Sequence, residues 1–330
     1  MNHIRSILQH IELLKSYQKV VLLLVYRWHR QSRILENLSD KYVFITGCDT
    51  GFGNSLAKQL DKRGMKVLAS CLTEKGAENL KKETSSRLQT TILDISDSKN
   101  VSSVAEWVSH VVGDKGLWGL VNNAGIPGQL VPLGWLKKND FLKVLDVNLL
   151  GMVDVTLSLL PLVIKAKGRI VNVSSVIGRL PVIPGGYALA KFGVEAFSDT
   201  LRREVNDFGV KVSIVEPGAF NTNIQSFLTV IKKNTEDKFH LLPAETKNIY
   251  GEQYLKKYLQ NIDELSTKSS SRIYLVTDCM EHALTACHPW TRYSAGLDAK
   301  LFYIPLSYLP TFITDYVLSL YAPKPAQGMK

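Results

Sequence analysis

Cysteine is scarce in this chain of 330 residues: Cys48, Cys71, Cys279 and Cys287 form no CxxC pair and no Cys/His cluster. A disulfide framework and a zinc site are therefore not expected, and no metal is assigned. Long apolar runs are missing at the head. The most hydrophobic stretch there, KVVLLLVYRW at 19–28, falls well short of the roughly 20 residues that a firm membrane span needs. No small-residue cleavage site follows it, so a removed signal peptide is not expected. Acidic residues are the minority, 30 against 40 Lys and Arg, giving a formal charge of +10. No basic helix, aromatic ladder or finger spacing accompanies that excess, which argues against a nucleic-acid partner.

Part of the basic excess sits at the start. Residues 1–33 carry Arg5, Lys15, Lys19, Arg27, Arg30 and Arg33 against Glu12 alone. A basic, apolar head suits an anionic membrane surface. Residues 7–29 can form one helix with polar interruptions, closer to an interfacial helix or marginal anchor than to a span. At the other end, residues 301–322 are almost all apolar, with Asp315 the only charge and Pro305 and Pro310 as breaks. That stretch reads as a patch dipping into a bilayer or lining an apolar substrate entrance. The expected division is a membrane-associating head, 1–38, a catalytic body, 39–300, and an apolar C-terminal segment with a polar tail, 301–330.

Within the body, short β-rich runs alternate with helical stretches. Strands are expected at 42–46, 66–71, 88–95, 117–125, 168–175 and 210–218, with helices between them, including 141–160 and 187–208. This beat means an α/β protein: a three-layer Rossmann fold with a parallel sheet covered on both faces. Past Gly218 the beat weakens. Residues 222–268 are mostly helical and polar, as expected of an arm covering the substrate.

The run TGCDTGFG, Thr46 to Gly53, joins the first strand to the first helix. Glycines there let a pyrophosphate approach backbone N–H groups at the positive end of a helix. Gly47, Gly51 and Gly53 have that spacing, with Phe52 between the last two. Asp94, ending the third strand, can accept a hydrogen bond from adenine. Asn122, Ala124 and Gly125 form the fourth strand's exit, close to ribose and ring. The residue expected to read the adenosine ribose is Cys71, neither a carboxylate nor an arginine. Residue chemistry therefore leaves NAD against NADP open.

Tyr187 and Lys191 stand four apart, with Ser174 and Ser175 a dozen residues upstream. A free tyrosine is a poor base, with a pKa of about 10. A lysine one helical turn along can favour the phenolate, and a serine hydroxyl can hold the substrate oxygen. Such a trio moves a proton to or from an alcohol while a dinucleotide takes or gives the hydride. Asn148, polar in an otherwise buried helix, reads as the site of a helix kink with a water relay to Lys191.

The motifs TGCDTGFG, LDI, NNAG, VNLLG, VNVSSVIG, YALAK and EPGAFNT, spanning about 40–225, resemble the short-chain dehydrogenase/reductase family. SCLTEKGAE, GLWGLVNNAG and KFGVEAFSDTLRRE are similar to its vertebrate microsomal retinol dehydrogenases and their 3α/17β-hydroxysteroid-oxidising relatives. The resemblance implies a catalytic set of Ser175, Tyr187, Lys191 and Asn148. It also implies that Pro217 and Gly218 flank the nicotinamide and that Thr222 bonds its amide. By the same likeness it implies NAD as cofactor, a retinoid or steroid alcohol as substrate, a homodimer and residence at the endoplasmic reticulum membrane. A non-catalytic dinucleotide- or lipid-binding protein is the competing reading.

Overall fold

The computed structural model describes residues 17–23, 25–221, 224–320 and 322–328. Seven parallel strands form one sheet in the order β3-β2-β1-β4-β5-β6-β7. They are β1 Tyr42–Ile45, β2 Lys66–Cys71, β3 Leu88–Ile92, β4 Gly119–Asn122, β5 Arg169–Val173, β6 Lys211–Pro217 and β7 Arg292–Ala295. Side chains alternate between the two faces along each strand, and both faces are buried, so the central strands are mostly apolar, with Asn122, Arg169 and Asn172 as buried polar exceptions. Val43, Ile45, Val67 and Ala69 pack on one face against Leu56, Leu60, Met280 and Leu284. Phe44, Leu68 and Leu120 pack on the other against Val104, Val108, Leu159 and Leu201.

The helices supplying those layers are α2 Gly51–Lys62, α3 Glu74–Lys82, α4 Ser98–Val112, α5 Lys138–Leu145, α6 Met152–Lys165, α7 Gly186–Glu204 and α11 Tyr274–Thr285. A preceding helix, α1, covers 17–23 and 25–32. The stretch expected as one helix over 141–160 is longer and not uniform. A π-helical turn, Asp146–Gly151, joins α5 to α6. The whole of Lys138–Lys165 is apolar and long enough to cross a membrane by length and composition. Its inner side is occupied with the sheet, through Val155, Leu159 and Val163.

The sequence reading lacks two elements, α11 and β7. β7 is only four residues, RYSA, and two of them are polar for local reasons. Arg292 reaches Glu195 and Asp199 on α7, and Ser294 reaches Glu216 on β6. Those partners are invisible in a linear pattern.

The arm is three helices: α8 Ile224–His240, α9 Ala244–Tyr250 and α10 Glu252–Lys268. Both of its ends are pinned, since Asn221 N–H donates to Ser270 O and Ser270 N–H to Ala219 O, at 2.8 and 2.9 Å. Trp135 fills its underside, with ring centroids 5.4 Å from Phe239 and 5.2 Å from Tyr250. After β7 the chain continues through the C-terminal helices α12 Ile304–Leu306 and α13 Thr311–Ser319.

Candidate functional site

All strands run the same way, so their C-terminal ends define one edge, and the loops there converge. Gly47 and Gly51 hold φ of +71° and +67°, backbone that glycine adopts freely. A Cβ on Gly53 would lie 2.4 Å from Gly47 O and 2.5 Å from Asn123 Nδ2, so the turn closes only with hydrogen there. Thr50, at the N-cap of α2, makes no side-chain cap bond. The first N–H groups of α2 are thereby open toward the cleft, the arrangement a pyrophosphate requires. The residues present fit a dinucleotide.

Thr46 Oγ1 accepts the N–H groups of Asn123 and Ala124, at 3.0 and 3.1 Å, tying the β4 exit to the glycine turn. Asn123 Nδ2 donates to the carbonyls of Thr46 and Gly47. Asn122 has a different position. Its amide is buried between strands and α6, donating to Thr156 Oγ1 and Asn172 Oδ1, both at 2.8 Å. Gly125 lies against Asn148, whose amide grips Ile126 twice, at 2.7 Å to its N–H and 2.7 Å to its carbonyl. Asn148 stands inside the π-helical turn, a common way for a helix to aim one side chain at a site. Phe52 meets Phe220 edge to face, with centroids 5.8 Å apart.

At the end of β2 the arrangement differs from the sequence expectation. Cys71 is fully buried in the core, and burial pushes its thiol up to about 12. Its side chain packs inward rather than lining the cleft. Asp49, from the glycine turn, reaches this place instead. Its carboxylate accepts Leu72 N–H at 2.7 Å, Thr73 N–H at 3.0 Å and Thr73 Oγ1–H at 2.7 Å. Asp94 is exposed at the neighbouring strand end and accepts from the N–H and hydroxyl of Ser96.

The catalytic candidates converge beyond β5. Ser175 Oγ donates to Pro217 O at 3.4 Å and accepts Ile177 N–H at 3.2 Å, and its hydroxyl lies near enough to the Tyr187 phenol to favour its ionised form. Ser174 turns the other way, toward Lys191 O at 3.4 Å and the Glu195 carboxylate. The two serines face opposite sides, as consecutive residues of an extended segment do. Lys191 is buried, with Nζ donating to Val173 O at 2.7 Å and standing 5.5 Å from the centre of the Tyr187 ring. Burial lowers the Lys191 ammonium to about 8, with Glu195 opposing. Burial raises the Tyr187 phenol to about 12, with the nearby Ser175 hydroxyl opposing. Both shifts disfavour charge, so the resting pair is poised to hold a proton at the tyrosine.

Asp298, three residues past β7, is absent from the sequence-derived set. Its carboxylate accepts Ala219 N–H at 2.7 Å and fills the space where a Cβ on Gly218 or Gly296 would stand. Gly218 N–H also donates to Ala295 O at 2.9 Å. Just before Pro217, buried Glu216 pairs with Arg179 at 3.1 Å. The Pro217–Ala219 turn is thus held from β7, from Asp298 and from Arg179. Only the short GLDAK context marks Asp298 in the sequence. Thr222 lies outside the described residues. The C-terminal segment reaches the same buried cluster as the catalytic tyrosine: Tyr303, Ile304 and Tyr187 all pack against Val176, Ile177, Ala188 and Ala299.

Residues 41–230 match the short chain dehydrogenase family. Retinol dehydrogenase 16 of Mus musculus is 56% identical over 303 residues, covering 92% of this chain and 95% of its own. The 17-beta-hydroxysteroid dehydrogenase type 6 of Homo sapiens is 53% identical over 302 residues, with the same coverage. A crystal structure of a short-chain dehydrogenase from Streptomyces avermitilis shares the fold, with a TM-score of 0.65 at 24% identity over 85% of this chain and 94% of that one. The chain belongs to the short-chain dehydrogenase family of dinucleotide-dependent oxidoreductases and is closely related to its retinol dehydrogenase-like group.

Proposed function

We propose that the protein oxidises the hydroxyl of a bulky apolar alcohol, retinol or a 3α-hydroxysteroid, to the carbonyl with NAD. The observation that carries this is buried Lys191, its Nζ 5.5 Å from the centre of the Tyr187 ring and fixed on Val173 O, with the Ser175 hydroxyl near the phenol. Bound NAD supplies the hydride acceptor. Ser175 holds the substrate oxygen next to the phenol, and Tyr187 takes the alcohol proton. Lys191, when charged, favours the phenolate. Asn148 braces the loop after β4 through Ile126. Reduction runs the same groups backwards.

NAD rather than NADP is supported by Asp49. A carboxylate at the end of β2 accepts from ribose hydroxyls and repels a 2′-phosphate. The two relatives support retinoid and steroid alcohols, with a 17β-hydroxysteroid as the second reading. The apolar wall of Tyr303 and Ile304 beside Tyr187 suits such molecules, which a site grips by burial. Rates with all-trans-retinol, a 3α-hydroxysteroid and a 17β-hydroxysteroid under one NAD concentration separate these readings. Equal inactivity on all three would remove the lipid-alcohol assignment.

We further propose residence at the endoplasmic reticulum membrane through α1, whose Val20, Val21, Leu22, Leu23 and Val25 are exposed. The C-terminal segment has a separate duty as the apolar rim of the substrate entrance. It leaves β7 at the catalytic edge, whereas α1 joins the body through Leu35 and Thr285, ahead of the start of β7. A homodimer through α5–α7 is favoured by exposed Leu142, Leu150, Leu157, Leu189 and Phe192. Sedimentation in mild detergent reads that state directly.

A further inference from the structure

Where α1 meets the body, a cavity of about 310 Å³ is lined by Arg27, Arg30, Gln31 and His288, with Leu23 and Tyr26 on its apolar side. Among the described residues, no carboxylate lines it. The junction is built rather than incidental. His282 Nε2 bonds Gln31 O at 2.9 Å, Cys287 N–H donates to Arg33 O at 2.8 Å, and Leu35 N–H donates to Thr285 O at 2.8 Å. Arg27 lies 6.0 Å over the Trp290 ring. More cations stand behind the opening. Arg169 is 6% exposed, its Nε has no partner, and it stacks 4.9 Å over Trp118. Burial and the charges of Arg30, Arg33, Arg169 and Lys211 hold the His288 imidazole below its ordinary range. A concentration of like charge around a cavity is unfavourable unless an anion balances it.

We propose that this cavity binds the phosphate headgroup of an anionic phospholipid, with Arg27, Arg30 and His288 around the phosphate and the acyl chains along the apolar surface of α1. Charge complementarity selects an anion. The apolar side formed by Leu23 and Tyr26, continuous with exposed Val20 to Leu22, selects one that carries hydrocarbon. The inference rests on the membrane reading above and adds a lipid class and a defined site to it. The headgroup would lock the angle between α1 and the body, because it contacts both.

The test is co-sedimentation of the full chain with vesicles of phosphatidylcholine alone and of phosphatidylcholine mixed with phosphatidylserine. The mixed vesicles bind the full chain more tightly. The double variant Arg30→Gln/His288→Ala loses about ten-fold of that advantage and keeps its binding to phosphatidylcholine, which also reports that it is folded. Lys19→Gln, on the same helix outside the cavity, keeps the advantage. Inorganic phosphate at matched ionic strength does not displace the protein. No preference for the mixed vesicles, with phosphatidylcholine binding intact, overturns the headgroup site and leaves the membrane reading standing. Equal losses in Lys19→Gln and the double variant overturn it in favour of diffuse charge. Displacement by inorganic phosphate makes it a free-phosphate site. Failure to bind any vesicle removes the membrane reading and this inference together.

Discussion

Replacing Asp49 by Asn should move cofactor preference toward NADP. Asp49 carries a full negative charge to the end of β2 and is fixed there by three hydrogen bonds from Leu72 and Thr73. Unit charges 4 Å apart interact by about 1 kcal/mol in water and about 4 kcal/mol at the intermediate dielectric near a protein surface. The position is partly exposed, so about 2 kcal/mol is a fair repulsion, or roughly 30-fold in affinity. Asparagine keeps one of the two acceptor oxygens, so Thr73 can retain its bonds while Leu72 N–H loses its acceptor and the charge goes. The assay is kcat/KM with NAD and NADP in parallel. The ratio should shift toward NADP by about 10- to 30-fold, mostly through KM. Adding Leu72→Arg should extend the shift, because Leu72 is 59% exposed, whereas an arginine at fully buried Cys71 would disrupt the core. An unchanged ratio in Asp49→Asn would refute the reasoning that this carboxylate reads the ribose.

Ser175→Ala should cut turnover roughly 100-fold, as loss of one positioned donor does, while Ser174→Ala leaves it near normal; steady-state kinetics on both variants decides between them. Asp298→Ala strands the Ala219 N–H and should raise KM for NAD about ten-fold with a smaller effect on kcat, and Asp298→Asn, which keeps an acceptor, should recover most of it. Lys191 is held at about 8 against an ordinary 10.5, so the unfolded chain binds that proton more tightly and stability rises as pH climbs between those values. Lys191→Met should abolish turnover yet stabilise the fold at pH 7 by up to about 3 kcal/mol, with that gain fading as pH climbs from about 8 to 10.5; thermal unfolding across pH checks it.

What the sequence makes legible is what depends on local spacing. Tyr187 and Lys191 sit one helical turn apart, so their proximity follows from α7 alone. The glycine turn sits between an apolar strand and an amphipathic helix, and its role follows from that order. Asp49 belongs to the same motif, but its target at the end of β2 depends on the pairing of β1 with β2, Ile45 opposite Ala69. Asp298 meets Ala219 across 79 residues and a strand whose polar positions answer to acids on other elements. The direction of Ser175 against Ser174 requires the path of the chain after β5. Interactions set by register and by long-range closure leave no trace in a linear pattern.

The central claim is that Tyr187 moves the proton of an apolar alcohol while NAD takes its hydride. It is tested most directly by NADH formation from all-trans-retinol and from a 3α-hydroxysteroid, with the native protein and with Tyr187→Phe. The phenylalanine keeps the ring and its packing against the cluster of Val176, Ile177, Ala188 and Ala299 and removes only the hydroxyl. The account predicts turnover of at least one of the two alcohols by the native protein. It predicts a fall of roughly 10²- to 10⁴-fold in the variant, with NAD binding retained by fluorescence titration. Near-normal turnover in Tyr187→Phe would contradict it.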